Sequence, residues 1–123
     1  MPDDTNTIEV PKDIVAQSGA TRLAKWHRRQ CNGEWEHRHG IKIETTDNPG
    51  WMVVIDIEDT DAEQALVGEG KNDGMTWEVC APDDTSQLWG YDEGTGNLDG
   101  LLSMLASILE ATETNSKSAV SAT

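Results

Sequence analysis

The sequence predicts an α+β domain: a four-stranded antiparallel sheet, connected as a meander, with an N-terminal and a C-terminal helix packed on one face. Three observations predict it. Apolar residues recur at helical spacing near residues 21–31 and again over 98–109. Between those stretches apolar and polar residues alternate with period two in short runs. The runs are separated by Asn, Gly, Pro and Asp, the residues of tight reversals.

Residues 1–12 show no periodicity and read as a disordered lead-in, and residues 13–111 as the single domain. A helical pattern starts at Asp13 and is secure from Thr21 to Gln30. Leu23, Trp26, His27, Gln30 and Cys31 share one side, while Arg22, Lys25, Arg28 and Arg29 take the other. Cys31-Asn32-Gly33 ends the helix, and Glu34 to Gly40 follows as a charged, aromatic connector. Ile41–Thr45 alternates as a strand. Asp47-Asn48-Pro49-Gly50 turns the chain, and Trp51–Ile57 returns as the second strand of a hairpin.

Residues 58–73 are acidic, hold Gly68 and Gly70, and read as a long loop or ragged connection. Met75–Ala81 is the third strand, with Trp77 and Val79 facing inward, and Gln87–Tyr91 is a shorter fourth. Asn97 suits a helix N-cap, with Asp99 in the first turn. Leu98, Leu101, Leu102, Leu105, Ile108 and Leu109 then form the cleanest amphipathic stripe in the chain. Residues 112–123 are rich in Ser, Thr and Ala and read as a disordered tail.

Charge is unevenly placed. Residues 1–40 hold six acids against six Lys and Arg, so the net charge of −14 belongs to the chain from Ile41 onward. Such a surface repels phosphates and anionic lipid and speeds encounter with basic proteins, so neither nucleic acid nor membrane is an expected partner. A second reading assigns the acidity, and the absence of Phe, to adaptation of a whole proteome to high salt. The start, Met1-Pro2-Asp3-Asp4, has no basic stretch followed by an apolar one, and no apolar run is long enough to span a bilayer. A cytoplasmic location with Cys31 and Cys80 as free thiols is expected.

Four groups of residues suggest a chemistry that their spacing does not support. His27, Cys31, His37 and His39 lie close in sequence, but their spacing matches no structural zinc pattern. Glu34, Glu36 and His37 could supply acid–base groups, yet no nucleophile or fixed geometry accompanies them. Gly94-Thr95-Gly96 sits among Asp92, Glu93 and Asp99, where a phosphate would meet carboxylates. Asp59-Thr60-Asp61 opens like a calcium loop, but Gln64 and Gly70 stand where glycine and the bidentate Glu are required. No metal and no cofactor is expected.

The sheet face opposite the helices would present Lys42, Glu44, Met52, Val54, Asp56, Glu58 and Glu78, an apolar centre ringed by charge. Of the five tryptophans, Trp35 has the strongest claim to face a partner, being flanked by Glu34 and Glu36. The expected contact set is Trp35, Glu36, Met52, Val54, Asp56, Glu58 and Asp59.

The run Gln30-Cys31-Asn32-Gly33-Glu34-Trp35-Glu36-His37, then Gly40–Ile43, Thr46–Trp51 and Ile55–Ile57, resembles the immunity protein 53 family. So does the later order of Trp77, Cys80 and Gly96-Asn97-Leu98, and the resemblance covers roughly residues 20–110. It implies an α+β fold and a non-catalytic antidote that binds a cognate polymorphic toxin, often a nuclease. Asn32 and Glu34 stand where Asp is usual, Thr46 where Leu is usual, and His39 is an addition. Cys31, Gly33, His37, Gly40, Asp47, Asn48, Pro49, Gly50, Trp51 and Asn97 are expected to hold structure. The alternative functions are a small metal-assisted hydrolase using Glu36 and His37, or an acidic domain of a salt-adapted cell with no toxin partner.

Overall fold

Ser18 opens the first helix, α1 (Gly19–Gln30), its hydroxyl accepting the Thr21 N–H at 3.1 Å. The computed structural model describes residues 18–47, 49–72 and 74–121, with side chains given as far as residue 113. The expected lead-in, the helical pattern before Ser18 and the turn residue Asn48 lie outside the described residues. After α1 come α2 (Trp35–Arg38), β1 (Ile41–Thr46), β2 (Gly50–Asp56), α3 (Asp61–Ala65), β3 (Glu69–Asn72), β4 (Met75–Cys80), β5 (Gln87–Asp92) and α4 (Leu98–Ser121).

The class is α+β with an antiparallel sheet, as the sequence predicts, but five strands form it, in the order β1-β2-β5-β4-β3. Two readings need correction. Residues 58–73 are not a plain loop. Thr60 caps α3 by accepting the Ala62 N–H at 3.2 Å, and Glu69–Asn72 pairs with β4 as an edge strand. Neither element has enough length or alternation to announce itself. β3 takes its order from the β4 backbone, and Gly70 leaves room for Trp77, whose Nε1 would lie 2.6 Å from a Cβ at that site.

The sheet is also not a simple meander, because β5 lies between β2 and β4. Leu88 on β5 is fully buried, and α4 crosses directly over Gly90, where a Cβ would lie 2.7 Å from Leu105 Cδ1. The glycine that makes the strand look weak is what lets the helix approach. Gly90→Ala is therefore expected to lower stability by about 1–2 kcal/mol, overpacking outweighing the entropic gain of losing a strand glycine. The penalty should shrink in a Leu105→Ala background, as a denaturant-unfolding cycle on the four proteins would show.

Val53, Ile55, Leu88, Leu101, Leu105 and Leu109 form the centre of the core between sheet and helices, each fully buried. α1 packs chiefly on α4, and Gly19 is the closest approach: a Cβ there would lie 2.4 Å from Ser103 N. Two cations of the basic side of α1 also reach α4, while Lys25 and Arg28 stay exposed. Arg22 grips Glu110 through two hydrogen bonds of 3.1 and 2.6 Å, and Arg29 pairs with Glu113 at 2.6 Å. The guanidinium of Arg22, hydrogen-bonded to Glu110, holds that carboxyl below the usual range. Asn97 caps α4 by accepting the Gly100 N–H at 2.9 Å. The helix runs past the stripe seen in sequence, and Thr112 is buried, its hydroxyl donating to the Leu109 carbonyl at 2.7 Å.

Candidate functional site

With both long helices on one side, the register dictates what the other side shows. Lys42 and Glu44 on β1 stand opposite Val54 and Met52 on β2. Met52, Val54 and Asp56 stand opposite Tyr91, Trp89 and Gln87 on β5. Those three in turn face Thr76, Glu78 and Cys80 on β4. Directly paired residues point to the same face, so one surface carries Met52, Val54, Trp89 and Tyr91 at its centre. Lys42, Glu44, Asp56 and Glu78 surround them. A shallow hollow of about 490 Å³ lies over Lys42, Glu44, Met52, Val54, Asp56 and Trp89. A second, of about 440 Å³, lies over Glu69, Lys71, Glu78 and Tyr91.

Hydrogen bonds fix the polar groups of this face. Trp89 Nε1 donates to Gln87 Oε1 at 2.8 Å, and Gln87 Nε2 donates to Asp56 Oδ1 at 2.8 Å. The other Asp56 oxygen accepts the Gly40 N–H at 2.9 Å. Tyr91 OH donates to Glu78 Oε2 at 2.9 Å, and its ring centroid lies 6.1 Å from that of Trp89. Partial burial, and then the neighbouring Glu78 carboxylate, push the Tyr91 hydroxyl up to about 12. A tyrosine with a raised folded-state pKa favours folding below its ordinary value near 10 and loses that contribution as pH rises toward 12. As Tyr91 is the chain's single tyrosine, tyrosinate absorbance should show a midpoint near 12 in the native protein and near 10 in denaturant.

The expected contact residues scatter. Met52 and Asp56 lie half-buried on the open face, and Val54 lies between them with its side chain buried. Trp35 does not: it is 4% exposed, its Nε1 donates to the Glu58 carbonyl at 2.8 Å, and its ring abuts Trp26, His27 and His39. The flanking charges say nothing of the ring between them: Glu34 is exposed just ahead of α2 and Glu36 turns back on the backbone before it, while Trp35 points in. The Glu36 carboxylate accepts the N–H groups of Asn32 and Gly33 at 2.9 and 2.8 Å, while Asn32 Oδ1 accepts those of Glu34 and Trp35. This reciprocal cap secures α2. Its own backbone N–H, with those of Asn32 and Gly33, holds the Glu36 carboxyl below the usual range. Glu58 and Asp59 lie beyond the end of β2, beside α2 and α3.

The residues expected to hold structure are placed as follows. Cys31 follows α1 as an exposed free thiol 3.4 Å from the His27 carbonyl, and Gly33 takes a positive φ of 95°. His37 is exposed, with its N–H donating to the Glu34 carbonyl at 3.1 Å. Asp47 and Pro49 are exposed in the reversal between β1 and β2. A Cβ on Gly50 would lie 2.4 Å from the Asp92 carbonyl oxygen, and Trp51 packs against the core. Glu36, His37 and Cys31 do not converge on one point. The group with ligand-like spacing among the described residues is instead His39, Glu58 and Asp59.

Trp89, Tyr91 and Gln87 were missed by sequence reasoning. The alternation was there: taking Leu88 and Gly90 as inward places all three outward, but only the position of β5 beside β2 puts them next to Met52 and Val54.

No helix among the described residues is long and apolar enough to cross a membrane. No curated protein and no solved structure matches the chain. The family model for immunity protein 53 matches residues 20–110, which span the elements from α1 into α4. It covers the capped α2, the β1–β2 hairpin and the whole open face, so the chain belongs to the immunity protein 53 family.

Proposed function

We propose that this chain neutralises a cognate polymorphic toxin in the cytoplasm by stoichiometric binding, presenting the open face of its sheet to a basic domain of the toxin. The observation that carries this reading is the composition of that face. Met52, Val54, Trp89 and Tyr91 give an apolar and aromatic centre, and Glu44, Asp56 and Glu78 surround it. Aromatic anchors inside a polar rim are the usual anatomy of a tight interface. The surplus of acids from Ile41 onward adds long-range attraction for a cationic partner. A nuclease fits well, since a surface built for phosphates is basic. Membership of an immunity protein family supports the same reading.

The test is to mix the purified chain with the toxin domain encoded beside it. A 1:1 complex by light scattering, with association slowed by salt and toxin activity lost at equimolar ratio, is the expected result. No complex with that domain at micromolar concentrations would overturn the proposal.

A further inference from the structure

Neither the core nor the docking face accounts for His39. Its side chain is 8% exposed, and Nδ1 is buried with no hydrogen-bond partner. The Asp56 Oδ2 atom stands off from it at 3.8 Å and already accepts the Gly40 N–H. A buried, unsatisfied ring nitrogen in a folded protein calls for a reason, and an ion beside the ring is one of the few available.

The surroundings supply the remaining donors. His39, Glu58 and Asp59 each offer one ligand atom, and the three atoms lie within 4.8 Å of one another. One imidazole nitrogen with two carboxylate oxygens is a borderline donor set suited to zinc and its divalent first-row neighbours. The three residues come from the two sides of the β1–β2 hairpin, just before β1 and just after β2, and the backbone there is pinned. Trp35 Nε1 donates to the Glu58 carbonyl at 2.8 Å, and the His39 N–H donates to the Trp35 carbonyl at 2.9 Å. The Asp59 N–H donates to Glu63 Oε1 at 3.0 Å. A site held in this way needs little reorganisation to take an ion.

We propose that His39, Glu58 and Asp59 bind a divalent transition-metal ion of the zinc and cobalt class. Nδ1 of His39, the buried nitrogen without a hydrogen-bond partner, is the imidazole ligand. The ion ties the entry of β1 to the exit of β2, and three protein ligands leave at least one coordination position open.

Cobalt titration of the full, untagged chain tests this. The expected result is one Co²⁺ bound per chain, a rise in thermal midpoint with metal, and no thiolate charge-transfer band. His39→Gln should abolish binding. Asp59→Asn, an exposed position with φ of 63° that asparagine tolerates, should weaken it by about tenfold or more with the circular dichroism unchanged. The proposal fails if no Co²⁺ binds at millimolar concentration, or if Asp59→Asn leaves the affinity unchanged. A thiolate band would also overturn it, by placing the ion at Cys31 beside His27.

Discussion

Replacing Trp35 by alanine is expected to cost about 3–5 kcal/mol of folding stability, the range for deleting a large aromatic from a core. The side chain is 4% exposed and packs edge-on to Trp26 with ring centroids 6.0 Å apart. Its removal also strips the Glu58 carbonyl of its 2.8 Å donor. Trp35→Phe keeps most of the ring area and loses the N–H, so the expected cost falls to about 1–2 kcal/mol. Urea unfolding followed by circular dichroism separates the two variants. Affinity of the folded fraction for the toxin should be unchanged in Trp35→Phe. A variant of normal stability and poor toxin binding would instead mean that Trp35 faces the partner.

Trp89→Ala should do the opposite. Trp89 is half-buried on the open face, its indole held by Gln87 and tilted against Tyr91. As a rigid aromatic at the centre of the proposed interface, its truncation is expected to weaken toxin binding by about 2–4 kcal/mol. That is roughly 30-fold to 1,000-fold in Kd, and calorimetric titration reads it directly. The sheet should survive, because the core behind it rests on Val53, Ile55 and Leu88, all on the helix side. Glu44→Lys, out on β1, should act mainly on the association rate and on its salt dependence.

The contrast between these two tryptophans shows where sequence reasoning reached and where it stopped. Local patterns were legible: the apolar stripe of α4, the Asn97 cap, the β1–β2 hairpin and the family run from Gln30 to Trp51 each depend on residues near one another in the chain. What could not be read was pairing between distant segments. Nothing local in Gln87–Tyr91 says that the strand inserts beside β2, so Trp89 and Tyr91 could not be joined to Met52 and Val54. Gly19 and Gly90 read as weak points of a helix and a strand. Their neighbours across space, Ser103 and Leu105, make them close-approach positions instead. Trp35 failed for a related reason, since burial on a one-turn helix depends on Trp26, His39 and Glu58 rather than on the charges beside it. His39 and Glu58 meet only because β1 and β2 pair, which is why ligand spacing along the chain could not show them.

If the protein acts by covering a partner with the uncovered side of its sheet, that side must become protected in the complex. Hydrogen–deuterium exchange and hydroxyl-radical footprinting of the chain, free and mixed with its toxin domain, read this out. Protection of Met52, Trp89 and Tyr91 on complex formation, with the exposed side of α1 around Lys25 and Arg28 unchanged, is the predicted result. Protection confined to α1, with the sheet face as reactive as in the free chain, would contradict it.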